Sequence, residues 1–231
     1  MADLIESARA ILSVSERRME ATANNVANLT TPGFKSQKLY SDAVSEASTL
    51  APSTVEKSRV DLTQGKLSKT GNPYDLAIGG AGFFRLAGAN GNIVYSRQGQ
   101  FHRDGDGRLV NAQGMAVQGA DGDIVLPFAN AQILGDGTVL QDGAAVGRIA
   151  LFQPGDGVET RALGGSFFAL SDAEEVKEVQ LHQGMVETSN VALADEMVAM
   201  MEAMRNAEGG AKLVQTYDDL IGRAITTFGQ R

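Results

Sequence analysis

The sequence predicts an α+β protein in which an N-terminal and a C-terminal helix flank an inserted antiparallel β domain. Three observations lead to this prediction. Apolar residues recur at heptad spacing near both ends of the chain and not between them. Nineteen of the 27 glycines lie between Gly79 and Gly165. Short strand-like runs, bounded by Asp-Gly pairs, fill that glycine-rich middle.

Residues 3–28 form the first predicted helix, because they contain no proline or glycine and their apolar period is near 3.5. The stripe of this helix consists of Ile5, Leu12, Met19 and Val26, with Ala8 and Leu29 beside them. Thr30, Thr31, Pro32 and Gly33 are residues that end helices, so the helix is expected to stop there.

The segment that follows has a different character. Residues 36–74 are rich in Ser and Thr, weakly periodic, and interrupted by Pro52 and Pro73. We therefore expect an extended or irregular connector with short ordered pieces. Residues 171–183 are its expected counterpart before the C-terminal helix.

Residues 75–170 form the predicted β domain. Asp-Gly, a tight-turn signal, occurs at Asp104, Asp106, Asp121, Asp136, Asp142 and Asp156. The predicted strands are 75–78, 83–86, 93–96, 109–110, 124–126, 149–152 and 167–170. Many short strands at such regular spacing are typical of an antiparallel barrel or sandwich.

The C-terminal helix is predicted from about Glu187 to the end, capped by Ser189 or Asn190. Its first seam position comprises Leu193, Met200, Ala207, Val214, Ile221 and Phe228, and its second Met197, Met204, Ala211 and Ile225. The heptad continues in phase across Gly209 and Gly210, which favours one long helix. Two coiled-coil-type seams require a partner, either the other terminus or a neighbouring copy, so the pattern indicates assembly.

Composition narrows the function classes. There is no cysteine, and His102 and His182 are far apart in sequence, so no metal site is predicted. The pair Asp104 and Asp106 starts like a calcium loop, but Arg108 stands where an oxygen ligand is needed. No phosphate-binding motif is present, and no cofactor is expected. The net charge is −8, without a basic stripe, which argues against nucleic-acid binding.

The sequence also contains no apolar run long enough to span a membrane, and its N-terminus lacks the features of a secretory signal. No set of residues suggests a catalytic centre, so a non-enzyme is predicted. A β-rich binding or adhesin module with helical oligomerisation arms is the alternative from another class. It would need an exposed aromatic platform, and the chain has no Trp and four Tyr.

Five motifs, in order, resemble those of bacterial flagellar axial proteins of the rod and hook. The helix end Ala23-Asn-Asn-Val-Ala-Asn-Leu-Thr-Thr-Pro-Gly-Phe-Lys35 is similar to the N-terminal pattern ANNxANxxTxGFK of that family. The stretch Gly184-Met-Val-Glu-Thr-Ser-Asn-Val191, followed by Glu196-Met197, is similar to GxxExSNVxxxxEM. Residues 77–84, 95–101 and 107–114 are similar to AIxGxGFF, YTRxGxF and GxLVxxxG. The pattern departs at Met204-Arg205-Asn206, where members commonly have Gln-Arg and an aromatic residue.

The resemblance implies a structural subunit of the basal-body rod, which crosses the periplasm as a drive shaft. Residues 1–35 and 184–231 would form a helical core tube, residues 36–74 and 171–183 a connector, and residues 75–170 an outer β domain. Partners would be other copies, neighbouring rod proteins and the flagellar type III export apparatus, with no cleaved signal peptide. Chain length and the tail from Val214 favour a proximal rod member over a distal rod or hook member.

The resemblance also implies an assembly interface, for which local roles compete. Asn24, Asn25 and Asn28 crowd a helix end, where capping and subunit contact are both reasonable roles. The methionines are helix core by default, although their flexible thioethers also suit contacts with non-equivalent neighbours. The full predicted set is Asn24, Asn25, Asn28, Gly33, Phe34, Ser189, Asn190, Val191, Met197, Met200 and Met204.

Overall fold

The computed structural model describes residues 2–42, 55–120, 122–155 and 160–228. It divides into two compact units, each of which is assembled from separate stretches of chain. The helical unit comprises residues 1–27, 37–58 and 192–231, and the β unit comprises residues 28–36 and 59–191. The α+β class, with a helix at each end and antiparallel strands between them, is confirmed.

Two helices and a short β ribbon make up the helical unit. Helix α1 spans Ala2–Ala27, strand β1 spans Gln37–Asp42, strand β2 spans Val55–Val60, and β1 pairs with β2. The described chain contains no helix with a stretch long and apolar enough to cross a membrane. Residues 43–54 of the predicted connector fall outside the described residues.

The strands of the β unit are short, and ten of the sixteen described pair with the strand before or after them in the chain. They are β3 (Leu67–Lys69), β4 (Leu76–Ile78), β5 (Phe83–Ala87), β6 (Ile93–Ser96), β7 (Phe101–Arg103), β8 (Leu109–Asn111), β9 (Ala116–Val117), β10 (Gln132–Ile133), β11 (Thr138–Gln141), β12 (Ala144–Arg148), β13 (Leu151–Pro154), β14 (Arg161–Gly164), β15 (Phe167–Ala169), β16 (Ala173–Glu175), β17 (Leu181–Gln183) and β18 (Met185–Glu187). Helix α2 then spans Leu193–Phe228.

The main sheet of the β unit has nine strands. Its longest path runs β14-β15-β6-β5-β9-β8-β7, and β13 joins it by pairing with both β5 and β16. Smaller sheets pair β10-β11-β12, β17 with β4, and β18 with β3. All registers are antiparallel, as the Asp-Gly turns predict.

The turn between β11 and β12 shows why Asp-Gly predicts hairpins. Gln141 pairs directly with Ala144, so Asp142 and Gly143 form a two-residue loop. Both have positive φ, 50° and 80°, which is the type I′ geometry that matches strand twist. The turns predicted at Asp121 and Asp156 fall outside the described residues.

Two apolar clusters form the core of the β unit. The larger contains Phe84, Phe101, Leu126 and Leu151, all almost completely buried, and the smaller contains Phe83 and Phe168. The rings of Phe84 and Phe101 meet edge to face at 5.1 Å between centroids. This unit therefore has a buried core of large side chains of its own.

Two predicted elements are corrected. Residues 124–126 do not form a strand: Val125 makes an isolated bridge to Arg108, and Pro127, which follows, cannot donate to a ladder. The C-terminal helix begins at Leu193, not near Glu187, because residues 185–187 are the strand β18. The carbonyl of Ala192 accepts the first helical hydrogen bond from Glu196, so neither Ser189 nor Asn190 is the cap.

Candidate functional site

The first candidate site is the surface of the helix pair in the helical unit. Helices α1 and α2 pack antiparallel, since Asn25 contacts Glu196 near one end and Ile11 and Leu12 lie against Gly210 near the middle. Helix α2 is continuous through Gly209 and Gly210, as the unbroken heptad predicts.

Small residues line the seam of this pair. On α1 the buried positions are Ala8, Ser15, Thr22 and Asn25, and on α2 they are Ala203 and Gly210. Leu12, Met19 and Val26 are half-buried beside them, as are Met200, Ala207 and Val214 of α2. Small side chains let two helix backbones approach closely, and this explains why a glycine occupies position 210.

The second predicted seam position of α2 does not face α1. Met197, Met204 and Ala211 are exposed, and the seam instead uses Ala203 and Gly210, one position earlier in each heptad. The predicted seam residues Ile5, Leu193 and Ile221 are also 42%, 43% and 39% exposed. The heptad spacing indicates an apolar stripe, but it does not tell which of two adjacent apolar residues faces α1. In the structure the smaller residue of each pair, Ala203 or Gly210, faces α1, because the two helices approach closely there. The side chains of Ile225 and Phe228 fall outside those described.

Asn25 holds the helical unit together at the end of α1. This side chain is 2% exposed. Its Oδ1 accepts a hydrogen bond from the backbone N–H of Gln37 at 2.9 Å, and its Nδ2 donates to the carbonyl of Gln37 at 2.9 Å and to Glu196 Oε1 at 3.0 Å. One amide therefore joins α1, β1 and α2. Burial raises the pKa of Glu196, and hydrogen bonds from Asn25 and Thr22 oppose that shift.

The second candidate site lies in the β unit, and we call its residues Lys35, Arg97 and Glu187 the buried triad. Lys35 Nζ is 2.6 Å from Glu187 Oε1, and Arg97 Nη1 is 3.1 Å from Glu187 Oε2. The Glu187 side chain is completely buried and those of the two cations nearly so. Burial lowers the pKa of Lys35 and of Arg97, and the ion pairs with Glu187 oppose this.

Backbone groups form further hydrogen bonds with each side chain of the triad. Gly65 N–H donates to Glu187 Oε1, Lys35 Nζ donates to the carbonyl of Thr63, and Arg97 Nη2 donates to the carbonyl of Gly80. Buried charges are tolerated when paired and hydrogen-bonded in this way. The triad therefore joins residues 33–36, 61–65, 80 and 97 to the segment that precedes α2.

Asn190 makes a parallel set of connections. Its Oδ1 accepts from the N–H of Ser36 at 2.7 Å, and its Nδ2 donates to the carbonyls of Asp61 at 2.8 Å and Thr63 at 3.1 Å. Its own N–H donates to the carbonyl of Phe34. The two chain segments that leave the β unit, residues 33–36 and 185–191, are thus tied to each other within that unit.

Gly33 makes this arrangement possible. Its φ is +69°, and an added Cβ would lie 2.3 Å from both the carbonyl carbon of Arg97 and the nitrogen of Gln98. No side chain fits there, so the glycine permits close backbone approach. Its N–H donates to the carbonyl of Glu187, next to the triad.

The structure therefore places the predicted interface residues in two groups: some are buried or hydrogen-bonded within their own unit, and others are exposed on α2. Phe34, Asn25 and Val191 are buried, and Gly33 and Asn190 are engaged within their own unit, whereas Met197 and Met204 are half-exposed. Ser189 Oγ accepts from the N–H of Val191, in a local turn. Lys35, Arg97 and Glu187 were missed as site residues, although each stands inside a quoted motif. Three charged residues within otherwise apolar or small-residue motifs were the signal.

Comparisons with known proteins agree with these features. Residues 77–143 match the family model of the flagellar hook protein FlgE/F/G D1 domain. Residues 182–227 match that of the flagellar basal body rod FlgEFG protein C-terminal region, and residues 12–35 that of the flagella basal body rod protein.

Named relatives align over nearly their whole length. The chain is 35% identical to the flagellar basal-body rod protein FlgF of Caulobacter vibrioides, with 93% of each chain covered. It is 30% identical to FlgF of Escherichia coli, over 95% of this chain and 96% of the relative. It is 31% identical to the rod protein FlgG of Buchnera aphidicola from Acyrthosiphon pisum, over 91% of this chain and 94% of the relative.

Proposed function

The chain belongs to the family of flagellar basal-body rod proteins, and from that premise we propose that it polymerises helically through its terminal helices. As a member, it is a structural rod subunit of the flagellar basal body. We further propose that it has no catalytic activity, in keeping with relatives named as rod proteins.

The observation that carries the proposal is the incomplete burial of the helix pair. Leu193, Met197, Met201 and Met204 are between 43% and 56% exposed on α2, although the same helix already packs on α1. Burying apolar surface is worth roughly 25 cal/mol per Å², so such a surface favours association. A heptad seam only partly buried within the chain and a second apolar surface outside it suit a subunit that must contact neighbours.

The architecture of the polymer follows the same proposal. The terminal helices, paired as a coiled coil, would line a tube, with residues 75–170 outside as a barrel- or sandwich-like domain. Residues 36–74 and 171–183 would connect the two layers. Partners would be other copies, neighbouring rod proteins and the type III export apparatus.

We propose two classes of role for the predicted interface residues. Met197, Met200 and Met204 would contact neighbouring subunits, since their side chains are exposed or half-buried on α2. Gly33, Phe34, Ser189, Asn190 and Val191 would set the paths of the chain into and out of the β unit. Asn25 would fix the helix pair, and Asn24 and Asn28 would act near the end of α1.

Within the family we propose a proximal rod role, of the FlgF type, with a distal rod role as the alternative. Deleting the gene in its native bacterium tests this and the general proposal together. We expect loss of motility and basal bodies whose rods end early, seen by electron microscopy, with recovery on expression of the wild-type chain. Complete rods and normal filaments in the deletion strain would refute the proposal.

A further inference from the structure

Gly209 has no explanation among the described residues. Glycine is less favourable than alanine inside a helix, so the adjacent pair Gly209 and Gly210 in the middle of α2 requires a reason. Gly210 has one, because an added Cβ would lie 3.1 Å from Leu12 Cγ and 3.3 Å from Ile11 Cγ2. An added Cβ at Gly209 would meet nothing within 4 Å. Among the described residues, no contact therefore requires the second glycine.

Gly209 lies in a largely apolar groove of the helical unit. Ala10, Ile11 and Val14 of α1 form one wall. Leu213 of α2 forms the other, beside the polar residues Arg205 and Asn206. Ile11 is 37% exposed and Leu213 40% exposed, so the groove is open. The missing side chain at Gly209 deepens the groove where a large side chain from outside would enter.

A complementary surface stands on the other flank of the same helix pair. We call Met197, Met201 and Met204 the methionine ridge; they are 56%, 50% and 50% exposed. At about 100° per residue, the centre of the ridge lies roughly 130° around α2 from Gly209 and Leu213. The ridge cannot fold into the groove of its own chain, because both belong to one rigid helix. Thioether side chains are unbranched and flexible, which suits insertion into a groove.

We infer that this groove receives the methionine ridge of a second copy of the chain. The inference rests on the proposed function, since it specifies which helix surfaces join one subunit to the next. A second copy supplies an uncharged, flexible ridge that matches the largely apolar groove. The contact is heterologous, so each copy keeps one free ridge or groove and addition can continue without closure.

The contact also fixes an axial offset between neighbours. The ridge is centred about ten residues before the groove along α2, and a helix rises 1.5 Å per residue. Neighbouring helix pairs related by this contact are therefore displaced by roughly 15 Å along α2 if they run parallel.

Disulfide cross-linking tests the contact directly, because the chain has no cysteine. Met204→Cys marks the ridge and Leu213→Cys marks the groove. The two variants are expressed together in the deletion strain, and isolated basal bodies are oxidised. We expect a disulfide-linked dimer that requires both variants. Ser13→Cys, on an exposed position of α1 outside both surfaces, is the matched control and should give no dimer with Met204→Cys.

The outcomes separate this inference from the proposed function. Complete rods in which Met204→Cys never links to Leu213→Cys would overturn the inference and leave the rod function intact. A dimer between Leu213→Cys and a different rod protein carrying an introduced cysteine, without the self-linked dimer, would overturn the second copy as the occupant. Complete rods in the deletion strain would refute the proposed function itself.

Filling the groove provides a second test. Gly209→Leu should reduce complete rods per cell at least tenfold, with helix content of the purified chain unchanged by circular dichroism. Gly222→Leu is the control, because an added Cβ at Gly222 also meets nothing within 4 Å and that residue lies outside the groove. Equal rod numbers in the two variants would contradict the inference.

Discussion

The two units of this chain differ in how completely they bury their large side chains. The β unit buries Phe84, Phe101 and Leu151 completely and even encloses an ion triad. The helical unit uses small residues where its helices meet and leaves its large side chains half-exposed. The β unit thus has a completely buried core of large side chains, although Phe128 and Ile93 on its surface are 62% and 53% exposed, whereas the described helical unit has no such core.

Polar groups show the same contrast. In the β unit, the carboxylate of Glu187 is paired with two cations and a backbone N–H. In the helical unit, the carboxylate of Glu196 has an amide partner, Asn25, and remains partly exposed. Substitutions in the first set should therefore cost more free energy of unfolding than substitutions in the second.

The largest effect is expected for Glu187→Gln in the β unit. Removing this charge leaves two buried cations unpaired, which typically costs about 3–5 kcal/mol. We expect a loss of that size in the free energy of unfolding, measured by urea titration with tyrosine fluorescence. The exposed Glu178 supplies the control, and Glu178→Gln should change stability by under about 0.5 kcal/mol. A loss below about 1 kcal/mol for Glu187→Gln would contradict the central role of the triad.

A smaller and local effect is expected for Asn25→Ala in the helical unit. The change removes three hydrogen bonds, to Gln37 twice and to Glu196 once, and should cost about 1–3 kcal/mol. Amide hydrogen exchange should speed up at Gln37 and in the first turns of α2, and not in the β unit. Ser13→Ala, at an exposed position of α1, should leave exchange unchanged. Equal acceleration in both units would show that the two are not independent.

The smallest effect is a pH dependence at Glu196. Burial raises the pKa of this carboxyl, so its protonated form is the one favoured by folding. Its contribution is fully present below the ordinary glutamate pKa and is lost as the pH rises through the raised value. Glu196→Gln keeps the acceptor for Asn25 without the charge.

We therefore expect Glu196→Gln to stabilise the helical unit more at neutral pH than at acid pH, measured by helix unfolding at several pH values. The exposed Glu202 is the control. If Glu202→Gln changes the stability of the helical unit with the same pH dependence as Glu196→Gln, Glu196 has no special role.

Much of the fold could be predicted because local signals were strong. Heptad spacing gave both helices, and Asp142-Gly143 gave a hairpin with the expected turn geometry. The start of α2 was placed too early, because Glu187 and Asn190 look like residues of a helix N-terminus. In the structure their side chains bind distant segments, around Lys35 and Asp61, which a local pattern cannot reveal.

The sequence by itself determined the two terminal helices, the antiparallel strands between them and the family, because these depend on periodicity, turn chemistry and motif spacing. Only the tertiary structure decided which face of each helix is buried. Met204 and Ala203 are adjacent in an equally apolar stretch, and the close approach of α1 to α2 buries the smaller residue and leaves the larger one exposed. It likewise decided that Lys35, Arg97 and Glu187 meet, because buried charges are stable only where distant segments bring their partners together.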